Sequence, residues 1–168
     1  TENMWQHASQ LKIPKMIVIN GIDKENTNFD QTLKQIKKRF GSNVFPMQIP
    51  VNPGESYHQN IDILRSELIT YKKDNSGDLT ENNLPDEYKE QVDNLHQELI
   101  EYVAESDDKL LEKFFEQGNL SEEEMRHGLH DAIQNQVFIP LFCISSTSNI
   151  GVPRLCDFIA KYGSSPED

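Results

Sequence analysis

Two apolar runs constrain this chain more than anything else in it. Met16-Ile17-Val18-Ile19 and Val137-Phe138-Ile139-Pro140-Leu141-Phe142-Cys143-Ile144 are continuous, rich in β-branched and aromatic residues, and bounded by turn formers. Runs of this kind are strands buried on both faces, which is the habit of parallel sheets. Each opens directly into a polar loop, Asn20-Gly21-Ile22-Asp23 after the first and Ser145-Ser146-Thr147 after the second. Helical patterns surround them. Trp5, Ala8 and Leu11 mark a first helix, stopped by Pro14. Phe29, Leu33, Ile36 and Phe40 mark a second, with Lys34, Lys37, Lys38 and Arg39 on its wet side and Gly41 at its end. Val152, Leu155, Phe158, Ile159 and Tyr162 mark a closing helix, with Pro153 in its first turn. Residues 44–51 read as one strand, and Pro46 and Pro50 place it at an edge. Strands alternating with helices give an α/β fold with helices on the faces of a parallel sheet.

The middle of the chain breaks that alternation. Ile61–Leu64 and Leu68–Tyr71 read as short strands, and residues 72–83 as a polar turn region. A long helix is predicted over about 85–105 from Tyr88, Val92, Leu95, Leu99 and Tyr102. A second covers about 107–117, ending at Gly118, and a third follows Ser121, where Glu124 completes a capping box. Charge follows the same division. Residues 1–73 hold ten Lys/Arg against seven Asp/Glu, residues 74–131 four against eighteen, and residues 132–168 two against three. The net charge of −12 therefore sits in one acidic module between near-neutral flanks. Such a surface repels phosphate backbones, which excludes nucleic-acid binding by that segment. It is either a solvated helix face or a dock for a basic protein partner.

Composition narrows the setting. No stretch approaches the ~20 apolar residues of a membrane span, and no signal peptide is expected. Two cysteines make no disulfide framework, so a reducing cytosol is the expected compartment. Cys143 and Cys156 read as packing residues, Trp5 as core. His127 and His130 near Glu123 and Glu124 lack the further ligands of a metal site. The chain begins at Thr1 with its first Met at position 4, and the expectation is a piece of a longer protein.

Ligands of open α/β sheets sit beyond the carboxyl ends of the strands, so the two polar loops are the candidate site. Asp23 could accept two hydrogen bonds side by side, as the ring N–H and exocyclic amine of guanine require. The serine loop could offer a backbone N–H to the guanine carbonyl. Asn-x-x-Asp after a strand is equally the chemistry of an ordinary turn, and spacing alone does not decide.

The order of residues adds a resemblance. Thr1-Glu2, Trp5, Ala8, Ile13-Pro14-Lys15-Met16, Val18-Ile19-Asn20, Asp23-Lys24 and Phe29 resemble a continuous stretch of translation elongation factor G, of the form TExxW…A…(V/I)P(R/K)M…VNKxD(R/K)…F. Ile36-Lys37, Arg39 and Gly41, then Pro46 to Pro50, resemble its IKxRxG and PxQxP. Glu55-Ser56-Tyr57 with Ile61-Asp62-Ile63 resembles the start of its insert. Pro140, Cys143, Ser145, Asn149 and Gly151-Val152 resemble PVxCGSAxxNxGV, and Ser165-Pro166 with Asp168 resembles its closing SPxD. The likeness runs unbroken from Thr1 to Asp168.

The resemblance implies a partial parallel-sheet GTPase domain of the P-loop NTPase kind, interrupted by a mainly helical α+β insert. Residues 1–51 and 136–168 would be GTPase core, and 52–135 the acidic insert. It implies GTP or GDP as ligand, held through Asn20, Gly21, Ile22, Asp23, Ser145 and Ser146. Asp23 would read the base, Asn20 would tie the loops, and the Ser145-Ser146 pair would present an N–H. It implies ribosomal translocation as the parent's role and stalk proteins as partners of the insert, with no membrane and no sequence-specific nucleic acid. The alternatives are a ribosome-binding paralogue with weakened GTP hydrolysis and a tetracycline-resistance ribosomal protection protein. Two departures matter. Gly21 stands where the family has the Lys whose stem covers the base, a loss of roughly tenfold in affinity. Ile144-Ser145-Ser146 stands for GSA. No G-x-x-x-x-G-K-[ST] occurs in the sequence, so this chain is expected to be inactive alone, with no catalytic residue and with the Mg²⁺ ligands elsewhere.

Overall fold

The computed structural model describes residues 2–163. Thr1 and the Ser165-Pro166 and Asp168 matches lie outside the described residues. The elements run α1 (Glu2–Gln10), β1 (Ile17–Asn20), α2 (Phe29–Phe40), β2 (Val44–Pro46), β3 (Gln48–Val51), β4 (Gln59–Asp62), β5 (Glu67–Tyr71), β6 (Leu79–Asn83), α3 (Asp86–Ala104), α4 (Asp108–Gln117), α5 (Glu122–Gln134), β7 (Ile139–Ile144) and α6 (Val152–Tyr162). They form an α/β fold with two sheets. A parallel sheet has the order β1-β7-β2, and an antiparallel sheet the order β3-β4-β5-β6.

β7 is the centre of the parallel sheet, and all six of its residues are buried. β1 departs from the expectation of two buried faces. It alternates half-buried and exposed residues, Val18 is 40% exposed, and its partner among the described residues is β7 alone. One face of β1 has no covering layer among the described residues, so an apolar run does not by itself report burial on both sides.

Residues 44–51 are not one strand. The chain leaves the parallel sheet after Pro46 and joins the antiparallel one at Gln48. Met47 bridges them: its N–H donates to Leu141 O at 2.9 Å, and its carbonyl accepts from Ile63 N at 3.0 Å. Both pieces lie at sheet edges, where the missing proline donors cost no ladder bond.

The polar stretch after Lys72 also differs from expectation. Asp74 to Gly77 is a turn, with Asp74 Oδ1 accepting from Ser76 N at 3.0 Å, but residues 79–83 continue as β6. β6 pairs with β5 from Tyr71↔Leu79 to Glu67↔Asn83, and four of its five residues are exposed. α3, α4 and α5 follow. Asp107 caps α4 through the N–H groups of Lys109 and Leu110, and Gly118 closes it in the left-handed region. The Ser121–Glu124 capping box forms as the sequence suggests.

One core cluster joins Phe45, Met47 and Phe138 to Val92, Leu99 and Leu129, so the helices of the insert pack on the same apolar mass as the strands. A second gathers Ile22, Phe29, Val44 and Leu141 with Tyr57, Ile69 and Tyr71. α1 contributes less than expected. None of its residues is buried, and Leu11 lies past its end, 59% exposed. Trp5 is half-buried, its ring tilted against Phe40 of α2 with centroids 4.6 Å apart and with Lys15 Nζ over its ring.

Candidate functional site

The register of the parallel sheet builds the site. Ile17 pairs with Leu141 and Asn20 with Ile144, so β1 and β7 end level. Their loops leave the carboxyl edge side by side. The first hydrogen bonds beyond the strands extend the pairing: Gly21 N and Ile22 N both donate to Ile144 O, at 3.0 and 3.3 Å. Ile22 is fully buried and anchors the turn, which closes with Lys24 N on Gly21 O at 3.1 Å.

Asn20 ties the two loops. Its Nδ2 donates to Ser146 Oγ at 2.9 Å, and its Oδ1 accepts from Ser146 N at 3.0 Å. Ser145 is fully buried, and its backbone exchanges both hydrogen bonds with Ile150, so residues 146–149 form a closed turn. Inside that turn Ser148 N donates to Ser145 Oγ at 3.3 Å.

Asp23 faces the same turn. Its Oδ2 accepts from Thr147 Oγ1 and Ser148 Oγ, each at 3.4 Å, which is long for O–H···O. Its Oδ1 is buried and has no hydrogen-bond partner. A carboxylate oxygen in that state carries its full desolvation cost, and a donor from outside the chain would relieve it.

The structure therefore brings Asn20, Gly21, Ile22, Asp23, Ser145 and Ser146 to one edge. It also changes who can donate. The N–H groups of Ser145 and Ser146 are spent on Ile150 and Asn20. The next one, Thr147 N–H, has no partner among the described residues. Sequence reasoning named Thr147 only as part of the second loop, without a role, and passed over Ser148; their place one and two residues past the serine pair was the signal that could have assigned them. An edge with two adjacent donors and a carbonyl fits an orphaned carboxylate beside a free N–H. That pattern is guanine's. Adenine presents a ring acceptor where the carboxylate needs a donor.

The turn is held from behind by the antiparallel sheet. Cys143 O lies 3.2 Å from both Tyr57 OH and Asn60 Nδ2, and Tyr57 OH donates to Asn60 Oδ1 at 2.6 Å. Burial keeps the Tyr57 phenol protonated far above its ordinary range and pushes the Cys143 thiol up to about 12. Cys143 is thus an inert core group, while Cys156, expected to be packed, is exposed on α6. Arg154 of α6 is nearly buried and pairs with Glu81 of β6, a second tie between the closing helix and the antiparallel sheet. On α5, Glu124 is committed to Lys113 and Ser121.

Comparison with known proteins bears on the family and the fold. The family described as "Elongation factor Tu GTP binding domain" matches residues 1–165. Among solved structures, a crystal structure of a protein from Thermus thermophilus superposes with a TM-score of 0.86 at 27% identity. The match covers 99% of this chain and 24% of that one, so the chain spans about a quarter of the length of that protein.

Proposed function

The chain belongs to the elongation factor Tu GTP-binding domain family, and on that footing we propose that it is the guanine-recognising part of a translational GTPase of the elongation factor G type. The observation that carries this reading is Asp23: a carboxylate at the end of a parallel strand, one oxygen buried without a partner, facing a turn with a free N–H. Asp23 accepts from the ring N–H and amine of guanine, and Thr147 N–H donates to its carbonyl. Asn20 holds the two loops at the spacing this needs. The bound nucleotide supplies the phosphate that the parent hydrolyses, with its phosphate and Mg²⁺ ligands contributed from outside these residues, and the role is ribosomal translocation in the cytoplasm.

Residues 52–135 are read as an inserted subdomain that docks a ribosomal stalk protein. Support comes from its charge and from its surface. α3 and α4 turn acidic residues outward, and beside Glu101 and Glu105 they leave a shallow apolar spot at Leu111, Phe114 and Phe115, the last 78% exposed. Among the described residues no helix is long and apolar enough to cross a membrane.

The test is calorimetric titration of the full-length protein with GDP and with ATP, beside its Asp23→Ala variant. GDP binding that ATP does not match, and that Asp23→Ala abolishes, supports the reading. Equal binding of both nucleotides, or an unchanged variant, refutes it.

A further inference from the structure

Gly21 lacks a side chain, yet the space above it is filled. An ideal Cβ placed on Gly21 would lie 3.4 Å from Lys24 Cδ, 3.4 Å from Lys24 Cε and 3.8 Å from Lys24 Cγ. Three successive methylenes within van der Waals range of one point mean that the Lys24 stem lies flat across the glycine. The arrangement is fixed from the backbone. Lys24 N donates to Gly21 O at 3.1 Å, and Lys24 O accepts from Thr27 Oγ1 at 2.6 Å. The residue is exposed, and its ammonium has no hydrogen bond or ion pair among the described residues. A lysine with no charge partner, laid along its own turn beside the orphaned carboxylate of Asp23, leaves an aliphatic surface next to a hydrogen-bonding edge.

We infer that Lys24 is a ligand-binding residue: its methylene stem is the apolar floor on which a purine base rests while Asp23 reads the base's edge. A flat ring held along one edge by a carboxylate still exposes its faces to water, and covering one face with methylenes removes apolar area on both partners. Gly21 permits the turn that brings the stem there: its φ of +87° is one that glycine adopts without strain, and the stem packs against it at ordinary van der Waals distance.

This inference rests on the guanine reading above and deepens it, and the test separates the two. The full-length protein is titrated with GDP and with GTP in two variants beside the natural chain. Lys24→Ala weakens both nucleotides alike, by about tenfold, the worth of covering one ring face with two or three methylenes. Lys24→Met, which keeps the stem and drops the charge, recovers affinity to within about threefold of the natural chain. The inference is overturned alone if the natural protein binds guanine nucleotides and Lys24→Ala binds them equally well. It is also overturned if Lys24→Met is as weak as Lys24→Ala, since the charge would then be what matters. If the natural protein binds no guanine nucleotide, the functional reading fails and takes this inference with it.

Discussion

Gly151 closes the turn that faces Asp23, and replacing it with alanine separates two costs that usually come together. Its φ is +78°, and a Cβ there would lie 2.7 Å from Cys143 O, 3.0 Å from Ile144 Cγ2 and 3.1 Å from Asn60 Nδ2. An L-residue in that backbone region costs about 1–2 kcal/mol. The clash adds more, because Cys143 O cannot retreat freely from Tyr57 OH and Asn60 Nδ2, both 3.2 Å away. Loss of one such buried bond costs about 1–3 kcal/mol. Gly151→Ala should therefore cost about 2–5 kcal/mol in all. Gly54 is the control. Its φ is +112° and nothing lies within 4 Å of its would-be Cβ, so Gly54→Ala carries the backbone cost alone. The unfolded-chain effect of Gly→Ala is common to both and cancels. Urea unfolding of the 168-residue chain reads the difference. With a slope of about 2 kcal/mol per molar, the midpoint should fall by about 1–2.5 M for Gly151→Ala and by about 0.5–1 M for Gly54→Ala. Equal shifts would refute the claim that the turn is packed against the Tyr57–Asn60 network.

Two further outcomes follow from the titratable groups. Lys113 and Ser121 hold the Glu124 carboxyl down to about 2, against an ordinary 4.5. A depressed carboxylate stabilises the fold above its unfolded value and loses that contribution as pH falls through the folded one. Acid titration should therefore destabilise α4 and α5 between about pH 4.5 and pH 2, and Glu124→Gln should flatten that part of the curve of unfolding midpoint against pH. A thiol reagent at neutral pH should modify Cys156 at once and Cys143 only on unfolding, since burial holds the Cys143 thiol up at about 12. Two fast equivalents in the native protein would contradict the packing of β7.

What the sequence made legible was what periodicity and caps report. The helices of the insert, the Ser121 capping box and the central strand β7 were all readable, because each buries a regular stripe or satisfies named backbone groups. β6 was not. Leu79-Thr80-Glu81-Asn82-Asn83 has no apolar alternation, because an edge strand with an exposed face is held by its ladder to β5 and not by side-chain burial. The break at Met47 was invisible for the opposite reason. Residues 44–51 are nearly all buried, and a largely apolar run looks the same whether it serves one sheet or two. Leu11 was misplaced because helical spacing says nothing of whether a partner surface exists.

The candidate site divides in the same way. Asn20 and Asp23 were visible as polar residues at the end of a strand. That Ser146 N–H would be consumed by Asn20, with Thr147 N–H left unpartnered among the described residues, depends on side-chain geometry across two loops 126 residues apart. That the Lys24 stem lies across Gly21 is likewise a matter of how the turn folds and not of sequence order.

The central claim is that Asp23 reads a guanine edge, and exchanging its acceptor for a donor tests this most directly. Asp23→Asn in the full-length protein should be titrated with GDP and with xanthosine diphosphate, whose base carries a carbonyl where guanine has its amine. The natural protein should prefer GDP. The variant should prefer xanthosine diphosphate, each preference amounting to about tenfold to a hundredfold, the cost of one mismatched buried polar group. A variant that loses affinity for both nucleotides equally, or keeps its preference for GDP, would mean that Asp23 shapes the turn and does not read the base.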